Sequence, residues 1–226
     1  MTKTRPFTAE KIATRLDLIA PHIHRRREPL PEFGIRPLPG AILDAPICED
    51  PTYWEKIPHN SYWGHADLNF VMKCSFQVPT GWNPDQIALH FPLGVLGDIF
   101  NHPEALVHVD RIPIGSADRY HHTLPLRVDL ADGRSHVLSL HGWTGLAGWP
   151  PDPKCKAKLF MGSPEIVERD PVLLAFYQLA QTALDTARAL GVETNQGAAL
   201  LQALDCAFIA LDTRDPIGDE LYESAS

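Results

Sequence analysis

Two short pairs in this chain carry the residue types of a metal centre. His65-Ala66-Asp67 and His108-Val109-Asp110 each set an imidazole and a carboxylate two positions apart, and on a strand that spacing turns both side chains to one face. A catalytic zinc takes three protein ligands, with further groups orienting them. No third ligand clusters in sequence with either pair, so ordinary hydrogen bonding at a sheet rim is expected and no metal. Glycoside hydrolysis with a protein nucleophile would instead need two carboxyl groups about 5–5.5 Å apart. Glu104, Asp110, Asp118 and Asp132 are the acids to consider, but no spacing selects a pair. Most fall at expected strand ends or turns, where aspartate bonds nearby backbone groups. The chain by itself is expected to be non-catalytic.

Contact chemistry is better represented. Arg119, Tyr120, His121 and His122 are adjacent, polar and aromatic, a composition that suits a loop touching a neighbouring domain, a second subunit or sugar hydroxyls. Trp143 and Trp149, in HGWTGLAGWPPDP, are the better surfaces for stacking a pyranose, although tryptophan more commonly packs into a core or against proline.

The elements that must position these residues are read from composition and periodicity. With 226 residues, 44% of them apolar, one sandwich with helical additions is the economical expectation. The 21 prolines are nearly twice the usual share of about 5% and favour short connections and strands over long helices. A net charge of −8 argues against phosphate backbones, which need a basic face, so no nucleic-acid partner is expected. The one basic run, His22 to Arg27, is expected at a helix end, where positive charge complements the dipole. Cys48, Cys74, Cys155 and Cys206 are too widely spaced for a zinc knuckle or a redox dithiol. The opening MTKTRPFTAEK lacks an apolar leader, and no run of about 18 apolar residues follows. A cytoplasmic location without a membrane partner is the expectation.

Along the chain, Ile12, Leu16, Ile19 and Ile23 follow helical spacing after Thr8, with Pro21 as a kink. Pro29 to Pro58 is crowded with proline and reads as an irregular wrap. Leu68 to Val78 alternates with Val71 as the one exception, the clearest strand present. Further strands are expected at 87–91, 105–109, 124–130, 136–141, 159–161 and 165–168, with Asp110-Arg111 beginning a turn and Asp132-Gly133 marking a hairpin. Asp170-Pro171 opens a helix carrying Leu173, Tyr177, Ala180, Leu184 and Ala187 on one stripe and ending at Gly191; a second runs from Asn195 to Leu211. After Asp215-Pro216 an unpatterned acidic tail is expected. The hairpin of helices should leave an apolar face for self-association or docking.

In this order, the opening helix TAEKIATRLDLIAPHIHRRREPLP, Tyr62-Trp63-Gly64, the VPTGW turn at 78–82, EALVHVDRIPIG at 104–115, His121-His122 and a helical pair ending ALDCAFIALD resemble the N-terminal, non-catalytic region of cytosolic and vacuolar-type α-mannosidases, glycoside hydrolase family 38. Asp98 to His102, Trp143 and Trp149 fit that pattern only loosely. The resemblance implies an antiparallel β-sandwich, jelly-roll and galactose-binding-like, preceded by an N-terminal helix and followed by an antiparallel helical hairpin: an α+β, mainly β chain. Its expected parts are a helix and wrap at 1–60, the sandwich at 61–169, and the hairpin and tail at 170–226. It further implies a missing catalytic domain that uses zinc or cobalt to cleave terminal α-mannosides, expected to begin where this sequence stops, so none of its catalytic residues maps here. The partners expected are that domain, further copies of the chain and, in second place, carbohydrate. The alternative is a stand-alone carbohydrate-binding or protein-interaction module.

Overall fold

The computed structural model describes residues 8–42, 45–94, 103–148, 150, 152, 154–214 and 218–225. The chain divides into two compact units, one running through Arg25 and resuming at Arg169, the other Arg26–Glu168. This differs from the expected division at residues 60 and 169. The opening helix joins the C-terminal helices, and the proline-rich segment supplies strands to the sandwich.

The sandwich unit is built from β1 (His24–Pro29), β2 (Phe33–Leu38), β3 (Glu55–Ile57), β4 (Ser61–Trp63), β5 (Asn69–Gln77) and β6 (Ile87–His90). These are followed by β7 (Glu104–Val109), β8 (Ile112–Asp118), β9 (Thr123–Pro125), β10 (Ser135–Trp143), β11 (Leu159–Met161) and β12 (Glu165–Arg169). A six-stranded sheet, ordered β3-β2-β5-β10-β7-β8, and a four-stranded sheet, β1-β12-β6-β9, enclose one core; β11 and β4 form a small separate ladder. The pairs β2–β3, β2–β5, β5–β10, β7–β10, β7–β8, β4–β11, β6–β12 and β6–β9 are all antiparallel, so the expected α+β sandwich is the fold. Phe70, Met72 and Phe76 of β5 and Leu138 and Leu140 of β10 meet Leu89 of β6 and Ile166 of β12 in that core. Burying each such side chain contributes roughly 1.5–3 kcal/mol. Cys74 lies among them, and burial pushes its thiol up to about 12; all four cysteines are free.

Three local expectations are corrected. First, the segment 29–58 is not wholly irregular, since β2 and β3 lie within it. Pro37 of β2 hides the period, yet it sits beyond the residues that pair with β3, where the strand has β5 alone as neighbour and a missing N–H breaks no ladder. The remainder does wrap: Trp54 and Pro51 pack on Gly34, and Lys73 donates to the Glu49 carbonyl. Val71, the exception to the alternation, is as fully buried on the outer face of β5 as Phe70 is on the inner. Second, Asp132-Gly133 does not close a hairpin. The strand before it stops at Pro125, and the turn carries the chain from the four-stranded to the six-stranded sheet. Third, the arginines of His22 to Arg27 lie on a strand, not at a helix end: Arg26 pairs with Glu168 at 3.0 Å and Arg27 with Glu165 at 2.9 Å.

The helical unit comprises α1 (Thr8–Ile19), α2 (Pro171–Leu190), α3 (Asn195–Ala210) and α4 (Glu220–Ser224). Pro21 ends α1 and opens a single 3-10 turn, Ala20–Ile23. Ile12, Leu16 and Ile19 share a core with Leu173 and Leu184 of α2 and Leu201 and Phe208 of α3. Asp170 caps α2 by accepting from the Val172 and Leu173 amides. Gly191, at φ 90, supplies the left-handed residue that stops it. The acidic tail is not unpatterned throughout: Leu221 of α4 is fully buried, and Tyr222 lies 4.1 Å under the Arg25 guanidinium and donates to the His22 carbonyl. Five residues are too few to display a period. Val172, Leu179 and Leu190 recur on one face of α2 and stay exposed. Among the described residues no helix is long and apolar enough to cross a membrane.

Candidate functional site

Pairing register decides which side chains of the six-stranded sheet share a face. Even positions of β5 and β10 and odd positions of β7 point into the core. The opposite set forms rows across the outer face. At one end the row reads Asn69, Trp143, Glu104, Asp118 across β5, β10, β7 and β8, and the next reads Val71, His141, Leu106, Ser116. Asn69, Trp143 and Glu104 of the first row and His141, Leu106 and Ser116 of the second, with Ala41, Ile42 and Asp67, line a cavity of about 610 Å³.

Trp143 is half-buried here, and its indole N–H donates to Asp67 Oδ1 at 2.9 Å. Asp67 itself is held by backbone. Its amide donates to the Gly145 carbonyl at 2.8 Å, the Leu68 amide to Thr144 Oγ1 at 3.0 Å, and the buried Thr144 hydroxyl to the His65 carbonyl at 2.7 Å. Asp67 has φ 60, a left-handed value that a short polar side chain tolerates. The turn before β5 is thus tied to the end of β10, and the indole is fixed before any ligand arrives. His141 is kept below the ordinary histidine value by burial; so is His108 on the neighbouring row, with a smaller push from His141.

The sequence-selected loop lies one strand further along. Asp118 Oδ1 accepts from the Tyr120 and His121 amides at 2.7 Å each, and its other oxygen meets His121 Nδ1 at 2.9 Å. Burial would raise the Asp118 pKa, but these bonds outweigh it and leave the carboxyl below its usual value. Tyr120 and the His121 side chain project to solvent. His122 turns the other way: its ring approaches the Phe91 carbonyl at 3.2 Å and packs 6.0 Å from His90. Arg119, Tyr120 and His121 therefore stand at the same end of the sheet as Trp143, joined through Asp118 and Glu104, while His122 serves the core edge. Trp149 lies outside the described residues.

The four acids considered for catalysis separate into distinct tasks. Glu104 lines the cavity and Asp118 organises the loop. Asp110 and Asp132 converge on His136, with Nδ1 2.7 Å from Asp110 and Nε2 2.9 Å from Asp132. Both ring nitrogens are occupied, so the ring is a clamp with no free nitrogen to act as a base. Burial disfavours its charged form, but the two carboxylates outweigh burial and raise its pKa. Reading the sequence missed this arrangement; a histidine on the inward phase of a strand, between two turn aspartates, was the available signal.

Neither histidine-aspartate pair is a one-face ligand pair. β4 ends before His65 and β5 starts after Asp67, so no strand aligns them. At His108 and Asp110 the turn has already begun: Asp110 and Arg111 have φ 48 and 70, and the Asp110 carboxylate swings to His136. Among the described residues no three histidine, cysteine or acidic side chains gather to hold a metal ion. A scan of protein-family models finds no match to this chain, and a search of curated proteins finds no relative.

Proposed function

We propose that this chain is the N-terminal accessory region of an α-mannosidase-like glycoside hydrolase, supporting the cleavage of terminal α-mannosides through domain positioning and oligomer formation. The supporting observation is where the motifs of the resemblance fall. EALVHVDRIPIG occupies the β7–β8 hairpin with its two-residue turn, VPTGW follows the end of β5, and Tyr62-Trp63-Gly64 carries β4. The motifs thus coincide with elements that set backbone geometry. In this reading hydrolysis and its zinc or cobalt belong to a domain outside this sequence, and the residues here hold neither. The exposed face of α2, with Leu179 at 74% exposure, supports the docking role.

The test is the reading frame beyond Ser226, paired with an assay of the 226-residue chain on an aryl α-mannoside with zinc or cobalt. The expected result is an in-frame domain rich in histidine and aspartate, and no turnover by the chain alone. A stop codon with no glycosidase encoded alongside, or turnover by the chain itself, overturns the proposal.

A further inference from the structure

The cavity at the Trp143 end of the six-stranded sheet has the size of a small-ligand site, about 610 Å³ against the range of roughly 300–1,000 Å³ usual for such pockets. Its lining is mixed in a particular way. Trp143 contributes the aromatic surface, Leu106 and Ile42 contribute aliphatic surface, and Asp67, Glu104, Asn69, Ser116 and His141 contribute polar groups. We propose that this cavity binds the ring of a neutral pyranose, with Trp143 as the stacking surface and Glu104 and Asp67 as acceptors for ring hydroxyls.

Four features select that occupant. A pyranose presents an apolar patch of C–H groups on one face and hydroxyl donors at its edge, and the lining offers an indole beside two carboxylates. Ionised carboxylates only accept, and hydroxyls are donors that match them; Asn69 and Ser116 can both donate and accept. The charge is one-sided: the described lining holds two acids and no lysine or arginine. Phosphates, uronic acids and other anions are therefore repelled. A quaternary ammonium ion would tolerate that charge, but cages for such ions surround the cation with several faces of tryptophan, tyrosine or phenylalanine, and among the described lining residues Trp143 alone supplies one. The site is also preorganised, because the indole is already anchored on Asp67 and that turn is tied to Thr144. A rigid aromatic surface loses little freedom on binding.

The inference rests on the cavity alone and stands whether or not the chain serves a mannosidase. The 226-residue chain is titrated with methyl α-mannopyranoside, methyl α-glucopyranoside and methyl β-galactopyranoside. Tetramethylammonium and inorganic phosphate serve as comparators. Heat and the Trp143 indole N–H resonance are followed in each titration. At least one pyranoside is expected to bind saturably and shift that resonance, with no response to phosphate. Trp143→Ala should abolish the binding. Glu104→Gln, at an exposed position, should weaken it about tenfold without altering the melting temperature; it carries the test if the tryptophan variant is unstable. The absence of binding by all three pyranosides, binding that survives both substitutions, or preferential binding of tetramethylammonium overturns the proposal.

Discussion

His136 Nδ1 lies 2.7 Å from Asp110 Oδ2, which ties the start of β10 to the hairpin turn between β7 and β8. Asp132 holds the other ring nitrogen at 2.9 Å. Only the imidazolium donates from both nitrogens, so the geometry demands the charged ring. The same Asp110 accepts from the Val137 amide at 2.9 Å, so one aspartate secures both a turn and a strand.

Stability should therefore depend on pH through this clamp. The His136 pKa is raised above 6.5 in the fold, so its contribution is complete below that value and is lost as pH rises through the folded-state pKa. Asp110 and Asp132 are lowered from 3.8, so their contribution is present above that value and lost on acidification. Comparing urea midpoints of the native chain and His136→Gln isolates the effect. The difference should peak near pH 5 at about 2 kcal/mol and narrow as the pH is raised or taken below 3.8. A difference independent of pH would refute the charged clamp.

His90 should behave in the opposite sense. Burial, then His122 and Arg27, bring it down to about 4, and its Nδ1 faces Thr123 Oγ1 at 2.9 Å. A depressed histidine contributes stability above pH 6.5 that is lost as pH falls toward 4, by about 3 kcal/mol in all. His90→Asn, which keeps a polar group near Thr123, should flatten that acid limb while leaving stability at pH 8 nearly unchanged. Denaturation curves at four or five pH values decide it.

The parts of this fold that were legible were local. Ile12 to Ile23, the alternation of β5, the Asp170 cap and the Gly191 stop each depend on residues within a turn or two of one another. What was not legible depended on partners far apart in sequence. Trp143 reaches Asp67 across 76 positions, and Lys11 of α1 reaches Asp205 of α3 across 194; no periodicity encodes either. Proline obscured β2 because it disrupts pattern even where it breaks no ladder. The candidate site was half legible: Trp143 and the Arg119 to His121 loop were selected by composition, whereas Asn69, Glu104 and His141 join them only through strand register, and Asp67 through a turn bonded to the Gly145 carbonyl.

Gly142 is the position in β10 where a side chain has no room. A Cβ there would meet the Glu104 carbonyl oxygen, with Phe70 Cζ at 2.6 Å and Ala105 Cβ at 2.9 Å. Gly142→Ala should force β5, β10 and β7 apart and destabilise the sandwich by about 1–3 kcal/mol, the cost of overpacking. Gly81→Ala, where open space surrounds the missing Cβ but φ is 79, should cost less and by a different route, backbone strain. Equilibrium unfolding of the two variants separates steric from conformational cost.

Asp170 closes the last orphan donors of α2 from a position only 6% exposed. Its Oδ1 accepts from the Val172 amide at 3.0 Å and the Leu173 amide at 2.8 Å, and Arg25 approaches its other oxygen at 3.6 Å. Replacing the carboxylate with a methyl group leaves two helix N–H groups unpaired and removes one acid from Arg25, which keeps Asp219 at 2.6 Å. Asp170→Ala should therefore destabilise the helical unit by about 1–2 kcal/mol, and Asp170→Ser, which restores the cap without the charge, should recover most of that loss. Helical circular dichroism during denaturation measures both. Equal losses in the two variants would mean that the Arg25 contact, not the cap, carries the stabilisation.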